Sequence, residues 1–459
     1  MGLNPDFFSV HGSSKSGFFL ILLLSLMCLL LGNADAYDPL DPNGNITIKW
    51  DILQETTNTQ FVKITLLNYQ LFRHIDRPGW KLSWGWAGDE EIWEMWGAEA
   101  TEQGNCSAYK SGQLPHCCEK VPVIVDLLPG APYNKQVLNC CKGGVLSSLT
   151  QDPEKYGATF QMSVGRASNT KGSLLMPGNF SVGVPGYTCG DPFEVPPSKF
   201  IEDQGRRRTQ ALGTWNVTCS YSQFRAQTSP TCCVSLSAFY NKTIVPCPTC
   251  TCGCPGLPTS SKCLKVGEKT PVFHDLDQEV ALDPVVLCTD HMCPIRVHWH
   301  IKQSYTQYWR VKITVTNFNF VKNFSQWNLV VLHPNLRNVT QVFSFNYRPL
   351  NLYGDINDTG VFYGIQQYND VLLQQGKSGN VQTELLLNKD RTMFTFREGW
   401  AFPRRVSFNG EDWVLPQPDD YPGLPDSGIL LGAPTNLWVL VLVVSTCYLY
   451  YCIGIIPFF

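Results

Sequence analysis

Charged residues are scarce in this chain. They make up 16% of 459 residues, with a formal net charge of −3. No stretch is basic enough to track a nucleic-acid backbone, so no nucleic-acid partner is expected. The one dense basic run, Arg206-Arg207-Arg208, reads as a solvated loop. Catalytic signatures are missing too: there is no Gly-x-Ser-x-Gly elbow, His-Glu-x-x-His helix or phosphate-binding glycine loop. Between the two ends no helical period is sustained, and no strand–helix alternation suggests a nucleotide-binding fold. Asp41-x-Asn43-x-Asn45 begins like a calcium loop, but Ile52 stands at position 12, where a bidentate Glu is required. His298 and His300 flank Trp299 without an evident third ligand, so no metal and no cofactor are predicted.

Long apolar runs occur only at the ends. Phe18 to Leu31 is followed by the small residues Ala34-Asp35-Ala36, which predicts a secretory signal peptide over 1–36, cleaved before Tyr37. At the other end, Asp426-Ser427-Gly428, a short spacer and the apolar stretch Leu437 to Phe459 form a glycosylphosphatidylinositol attachment signal over 426–459. Asp426 or Ser427 is the expected attachment residue; a single-pass anchor without a cytoplasmic tail is the alternative. Eight sequons, at Asn45, Asn105, Asn179, Asn216, Asn241, Asn323, Asn338 and Asn357, fit a glycosylated extracellular surface.

What the sequence does have in quantity is cysteine. Three of the 19 (Cys28, Cys447, Cys452) fall in the processed ends. Of the remaining 16, five precede residue 166: Cys106, Cys117, Cys118, Cys140 and Cys141. The other 11 are Cys189, Cys219, Cys232, Cys233, Cys247, Cys250, Cys252, Cys254, Cys263, Cys288 and Cys293. An even total in an oxidising compartment favours disulfides over a zinc site, although Cys247-x-x-Cys250 has metal-ligand spacing. Both partial counts are odd, so full pairing requires at least one bridge between the two groups.

An internal repeat sets the architecture. Ile46 to Ile52 alternates like a half-buried strand, and Ile295 to Ile301 repeats it 249 residues later. Phe61 to Tyr69 recurs as Arg310 to Phe318, and Trp80-x-Leu82-x-Trp84 recurs as Trp327-x-Leu329-x-Val331. The predicted fold is therefore all-β: two related sandwiches, 37–165 and 291–425, separated by a disulfide-rich, loop-rich segment, 166–290.

The copies differ in their aromatics. Five tryptophans, Trp80, Trp84, Trp86, Trp93 and Trp96, fall within 17 positions of the first. Trp80 and Trp84 align with Trp327 and Val331 and are assigned to the shared core. Trp86 aligns with His333, while Trp93 and Trp96 have no aromatic counterpart, so these three are the candidates for an exposed platform. An indole face suits the apolar face of a sugar ring, and Asp89, Glu90, Glu91 and Glu94 would accept its hydroxyls. Plain core packing is the competing account of such tryptophans. A glycosidase would need a defined carboxyl pair, and none is identifiable.

Cys232-Cys233-Val234-Ser235 within the cysteine-rich segment, the Trp80–Trp96 stretch, the signal peptide and the anchor tail together resemble the plant COBRA and COBRA-like proteins. The resemblance implies a non-enzymatic protein on the outer leaflet of the plasma membrane, facing the cell wall and acting in oriented cellulose deposition. It also implies an amino-terminal cellulose-binding module that would include Trp80, Trp84, Trp86, Trp93 and Trp96. The implied partner is cellulose or a related β-glucan, with protein partners unknown; the alternatives are a structural or adhesion protein that binds wall or membrane proteins without glycan contact and, third, an undetected glycan-active enzyme.

Overall fold

The computed structural model describes residues 38, 40–56, 58–109, 112, 114–166, 174–202, 206–226, 232–239, 263–268, 285–289, 293–350, 358–369, 371–372, 379–389 and 400–424. The signal peptide, Asp426, Ser427, Asn241, Asn357, Cys247, Cys250, Cys252 and Cys254 lie outside them. Among the described residues no helix is long and apolar enough to cross a membrane.

The chain divides into two units near residue 228. The first contains β1 (Asn45–Glu55), β2 (Thr59–Asn68), β3 (Lys81–Gly85), β4 (Glu90–Trp96), β5 (Ala98–Ala100), β6 (Val123–Asp126) and β7 (Gly157–Arg166). It continues with β8 (Gly178–Ser181), β9 (Tyr187–Cys189), β10 (Phe193–Val195), β11 (Lys199–Glu202), β12 (Arg207–Gln210) and β13 (Gly213–Tyr221). One sheet runs β10-β13-β1-β2-β7-β4, with β9 also on β13; the other runs β5-β6-β3-β8. Period-2 alternation puts Ile46, Ile48 and Trp50 inward with Ile64, Leu66, Phe160 and Met162. Each such side chain, once buried, contributes roughly 1.5–3 kcal/mol.

The first sandwich does not stop at residue 165, as its repeat suggested. β13 pairs antiparallel with β1 from Asn45↔Ser220 to Ile52↔Gly213, and β8 pairs with β3. An unpaired β1 would leave a row of backbone donors and acceptors without partners, and β13 supplies them.

The second unit contains β14 (Ser235–Ala238), β15 (Cys263–Leu264), β16 (Val286–Leu287), β17 (Ile295–Ser304), β18 (Tyr308–Asn317), β19 (Phe324–Ser325) and β20 (Asn328–Leu332). After these come β21 (Val339–Val342), β22 (Asn346–Leu350), β23 (Thr359–Tyr363), β24 (Val371–Leu372), β25 (Asn380–Asn388), β26 (Arg405–Phe408) and β27 (Glu411–Trp413). Its sheets are β14-β17-β18-β25-β21 and β22-β23-β20-β26-β27.

The repeat holds in detail. The bulge between Ile52 and Gln54 against β2 recurs between Ile301 and Gln303 against β18. Asn68, at the end of β2, donates to the Arg73 carbonyl at 2.9 Å and accepts from the Gln70 N–H at 3.1 Å. Asn317, at the end of β18, donates to the Lys322 carbonyl at 2.8 Å and accepts from the Asn319 N–H at 2.9 Å. Each buried amide thus shapes the turn that leaves its sheet.

Cysteine pairing departs from the parity expectation. The described bridges are Cys106–Cys118, Cys140–Cys141, Cys189–Cys219 and Cys263–Cys288, and Cys233 is also disulfide-bonded. None of these four joins the 106–141 group to the 189–293 group. Cys117 keeps its thiol in the core instead. It bridges Ile92 in extended backbone, so its side chain points opposite to that of Cys118, which reaches Cys106. Burial pushes the Cys117 thiol pKa up and leaves it a small inert hydrophobe. Cys232 and Cys293 face each other as hydrogen-bonded side chains in the second core rather than as a disulfide.

Candidate functional site

The inner tryptophans are core, and there are more of them than the repeat predicted. Trp80, Trp84 and Trp327 are fully buried, as their alignment implied. Trp86, expected on the surface, is only 5% exposed. Its ring meets Trp50 edge-on at 6.2 Å and Trp84 at 5.5 Å. The same position in the second copy, His333, is equally internal: its ring stacks on Trp299 at 5.4 Å, and Nδ1 accepts from the Asn335 N–H at 3.0 Å. Trp50 and Trp299 are equivalent, so both copies need a flat ring at this place, and the polar identity of His333 did not signal exposure.

His333 has a measurable consequence. Burial pushes its pKa down to about 3. The unfolded chain takes up a proton near pH 6.5, whereas the folded chain does so only near 3. Stability is therefore present above about pH 6.5 and lost as pH falls toward 3, by up to about 1.4 kcal/mol per pH unit. Melting of the second unit should fall between pH 7 and 4, and His333→Asn, which keeps a cap acceptor, should flatten that slope; equal slopes would refute it.

Trp93 and Trp96 lie outside the core, on the outer face of β4. Ile92 and Met95 point inward, and a bulge against β7 between Ile92 and Glu94 brings Trp96, three residues after Trp93, onto the same outer face. Trp93 is half-buried, edge-on to Tyr109 at 5.2 Å, with its indole lying against Gly165. A Cβ at Gly165 would come within 2.5 Å of the Trp93 Nε1, so only glycine lets the ring settle there. Trp96 is half-buried against Phe61, with ring centroids 5.8 Å apart. Register places Gln161 of β7 between Trp96 and Lys63 of β2, and Ser163 between Glu94 and Phe61. The Lys63 ammonium lies 4.6 Å from the Phe200 ring. The Trp96 and Phe61 rings thus meet over β7, with polar Gln161 and Ser163 in that strand.

The four acidic neighbours do not share one fate. Glu90 is buried, bonded to Arg166 at 2.7 Å and to the Gly88 N–H, so it is unavailable to a ligand. Burial raises its carboxyl pKa, but these bonds outweigh that and hold it below the ordinary value. Glu91 accepts from the Tyr109 hydroxyl, and burial with the nearby Asp89 charge pushes its pKa up. Asp89 and Glu94 are exposed. Phe61, Tyr109 and Gly165 were not foreseen, because their proximity to the tryptophans arises from pairing across β2, β7 and the Cys106–Cys118 loop.

The equivalent face of the second copy is built differently. Where β2 has Phe61 and Lys63 beside Ser163 and Gln161, β18 has Arg310 and Lys312 beside Leu386 and Glu384. Glu384 bridges Arg310 and Lys302, each at 2.5 Å. That face carries an ion-pair network, with the Tyr305 and Tyr308 rings 4.5 Å apart beside it.

The remaining motifs are accounted for by structure. In the Cys232-Cys233-Val234-Ser235 segment, Cys232 and Val234 enter the core, while Ser235 and Ser237 lie on the other side of β14 and are buried there too. The Ser235 hydroxyl lies 2.7 Å from His298 Nδ1, and Ser237 lies 2.9 Å from His298 Nε2 and 2.7 Å from His300 Nδ1. Asp41 turns inward to the Leu71 N–H at 2.7 Å, its pKa pushed up to about 6 by burial. Among the described residues no three His, Cys, Asp or Glu side chains converge on a metal position. Of the described sequons, Asn105, Asn179 and Asn323 are exposed, Asn45 and Asn216 are half-buried in strands, and Asn338 ends a 3-10 turn.

Comparison with known proteins gives a consistent assignment. The family model for the COBRA N-terminal domain matches residues 60–222, and that for the COBRA family C-terminal domain matches residues 231–422. The chain is 61% identical over 399 residues to COBRA-like protein 6 of Arabidopsis thaliana, covering 86% of this chain and 87% of that protein. It is 56% identical over 415 residues to COBRA-like protein 1 of Oryza sativa subsp. japonica, with 90% and 93% covered. It is 55% identical over 404 residues to Protein COBRA of Arabidopsis thaliana, with 86% and 88% covered.

Proposed function

The chain belongs to the COBRA family of plant cell-wall proteins, and from that premise we propose that it is a non-catalytic binder of cellulose or a related β-glucan. It works from the outer leaflet of the plasma membrane, held by a glycosylphosphatidylinositol anchor, and assists the oriented deposition of cellulose microfibrils. The glucan lies on the outer face of the first sandwich, across Trp93, Trp96 and Phe61, with Gln161, Ser163, Asp89 and Glu94 near its hydroxyls.

One observation carries this reading. The two copies share their cores and turns but differ on one face, which carries two half-buried indoles in the first and an ion-pair network in the second. Half-exposed indoles leave apolar surface in water that a flat, apolar sugar face would cover. Charged Arg310, Lys302 and Glu384 offer less such surface, which favours the first unit.

The test is binding of the purified mature chain to crystalline cellulose. Trp93→Ala and Trp96→Ala should each weaken binding about tenfold, or ~1.4 kcal/mol, with the melting transition largely retained. Wild-type affinity in both variants would reject the face.

A further inference from the structure

We infer that the loop from Leu127 to Gly144 extends this binding face beyond the end of β4 and that Tyr133 is a stacking residue for a further sugar ring. The inference rests on the glucan-binding reading above and adds a residue and a length requirement to it.

The loop is irregular yet fixed to the sandwich at several points. The Asp126 carboxylate accepts from the N–H groups of Cys141, Lys142 and Gly144 at 2.9, 2.9 and 3.1 Å. Cys140 and Cys141 are bridged to each other, which locks the returning arm. The Gln136 side chain donates to the Ala131 carbonyl at 2.6 Å and braces the tip. Two further contacts join the loop to the face itself. Gly97, the residue after Trp96, donates its N–H to the Lys135 carbonyl at 2.7 Å, and Thr159 of β7 donates to the Asn139 carbonyl at 3.3 Å. Gly97 has φ +81°, and a Cβ there would lie 2.4 Å from Val137 Cγ2 and 3.2 Å from Cys140 Cβ. The loop therefore packs directly on the chain where β4 ends.

At the tip of this braced loop, in the short 3-10 turn Tyr133–Lys135, Tyr133 is 90% exposed. Leu138 is 82% exposed on the returning arm, and Asn134 and Gln136 are exposed beside them. From Tyr133 to Trp96 the path crosses two residues and one hydrogen bond, so their Cα atoms are no more than about 15 Å apart. That is within the reach of one oligosaccharide. A polymer of flat rings stacked at Trp96 and Phe61 can continue past the strand end to Tyr133, with Asn134 and Gln136 at its hydroxyl edges. Because the backbone is already held, little ordering opposes binding, which is the condition under which one exposed ring adds affinity.

The experiment compares cellotriose and cellohexaose, measured by calorimetry on the mature chain. Tyr133→Ala should weaken cellohexaose binding by about threefold to tenfold and cellotriose binding less, since the short sugar can be held at Trp96 and Phe61 alone. Tyr133→Phe should retain wild-type affinity for both, and melting should not move in either variant. Cys140→Ser with Cys141→Ser should reproduce the Tyr133→Ala pattern by releasing the loop. Trp96→Ala is the reference, weakening both sugars. If Trp96→Ala weakens binding while Tyr133→Ala binds cellohexaose as wild type does, the extension is wrong and the face stands. If Tyr133→Ala weakens both sugars equally, the length requirement is wrong. If neither variant changes binding, the face and its extension fail together.

Discussion

Trp86→Ala is expected to unfold the N-terminal sandwich at temperatures where the wild-type chain is folded, with a loss of about 3–5 kcal/mol. The residue follows β3 and closes a cluster in which Trp50 meets Trp84 at 5.4 Å, Trp86 at 6.2 Å and Phe180 at 6.1 Å. Removing the Trp86 ring leaves a void bounded by the Trp50 and Trp84 rings it packs against. Rigid indoles collapse poorly into such a space, so the cavity persists and its cost is added to the lost transfer energy. Trp93→Ala removes a half-buried ring from the outer face and should move the transition far less. The measurement is calorimetric melting of each variant, with the transitions of the two units resolved separately. A Trp86→Ala protein that melts with the wild type and loses only cellulose binding would return this residue to the surface platform.

The second large effect comes from a buried ion pair near the start of the described chain. Arg73 donates from Nε to the Asp38 carboxylate at 2.7 Å, and both side chains are almost wholly buried. The guanidinium also lies 3.8 Å from the centre of the Tyr221 ring, the last residue of β13. The pair therefore ties the segment before β1, the turn after β2 and the strand added late in the sequence into one body. Arg73→Met keeps most of the packing but strands a carboxylate away from water, at a cost of about 3–5 kcal/mol. Asp38→Asn with Arg73→Met should recover much of that loss, because no charge is then left buried without a partner. Urea denaturation of the two single variants and the double variant closes the cycle. Additive losses in the double variant would mean that packing, and not the ion pair, holds this corner.

Much of this protein can be read from local pattern. Period-2 alternation in Ile46–Ile52 and Ile295–Ile301 determined which residues face the core, because successive side chains on a strand point to opposite sides. The repeat at 249 residues determined that there are two copies, and it extends to the matching bulges and the asparagine-built turns that follow them. Trp80 and Trp84 were assigned to the core by aligning them with Trp327 and Val331, and they are there. The cysteine motif is recognisable as a sequence, but it leads into an edge strand buried on both sides, with Val234 in the core and Ser235 against His298.

What the tertiary structure alone decided has a common physical origin in contacts between residues far apart in the chain. Alternation puts Trp86 on the side of Leu82 and Trp84, but its alignment with the polar His333 argued for exposure, and only the position of Trp50 in the facing sheet made it core. β13 joined the first sandwich because β1 had an open edge, which no spacing between residues 45 and 221 encodes. Parity predicted a bridge between the two cysteine groups, but the direction of the Cys117 side chain into a packed interior left a thiol there. The outer face required β4, β7 and β2 to pair before Trp93 could rest on Gly165 and Trp96 on Phe61. Alternation is a property of a few consecutive residues, so the sequence displays it. Which surfaces meet is fixed by pairing over a hundred residues or more, and that becomes visible only once the chain has closed on itself.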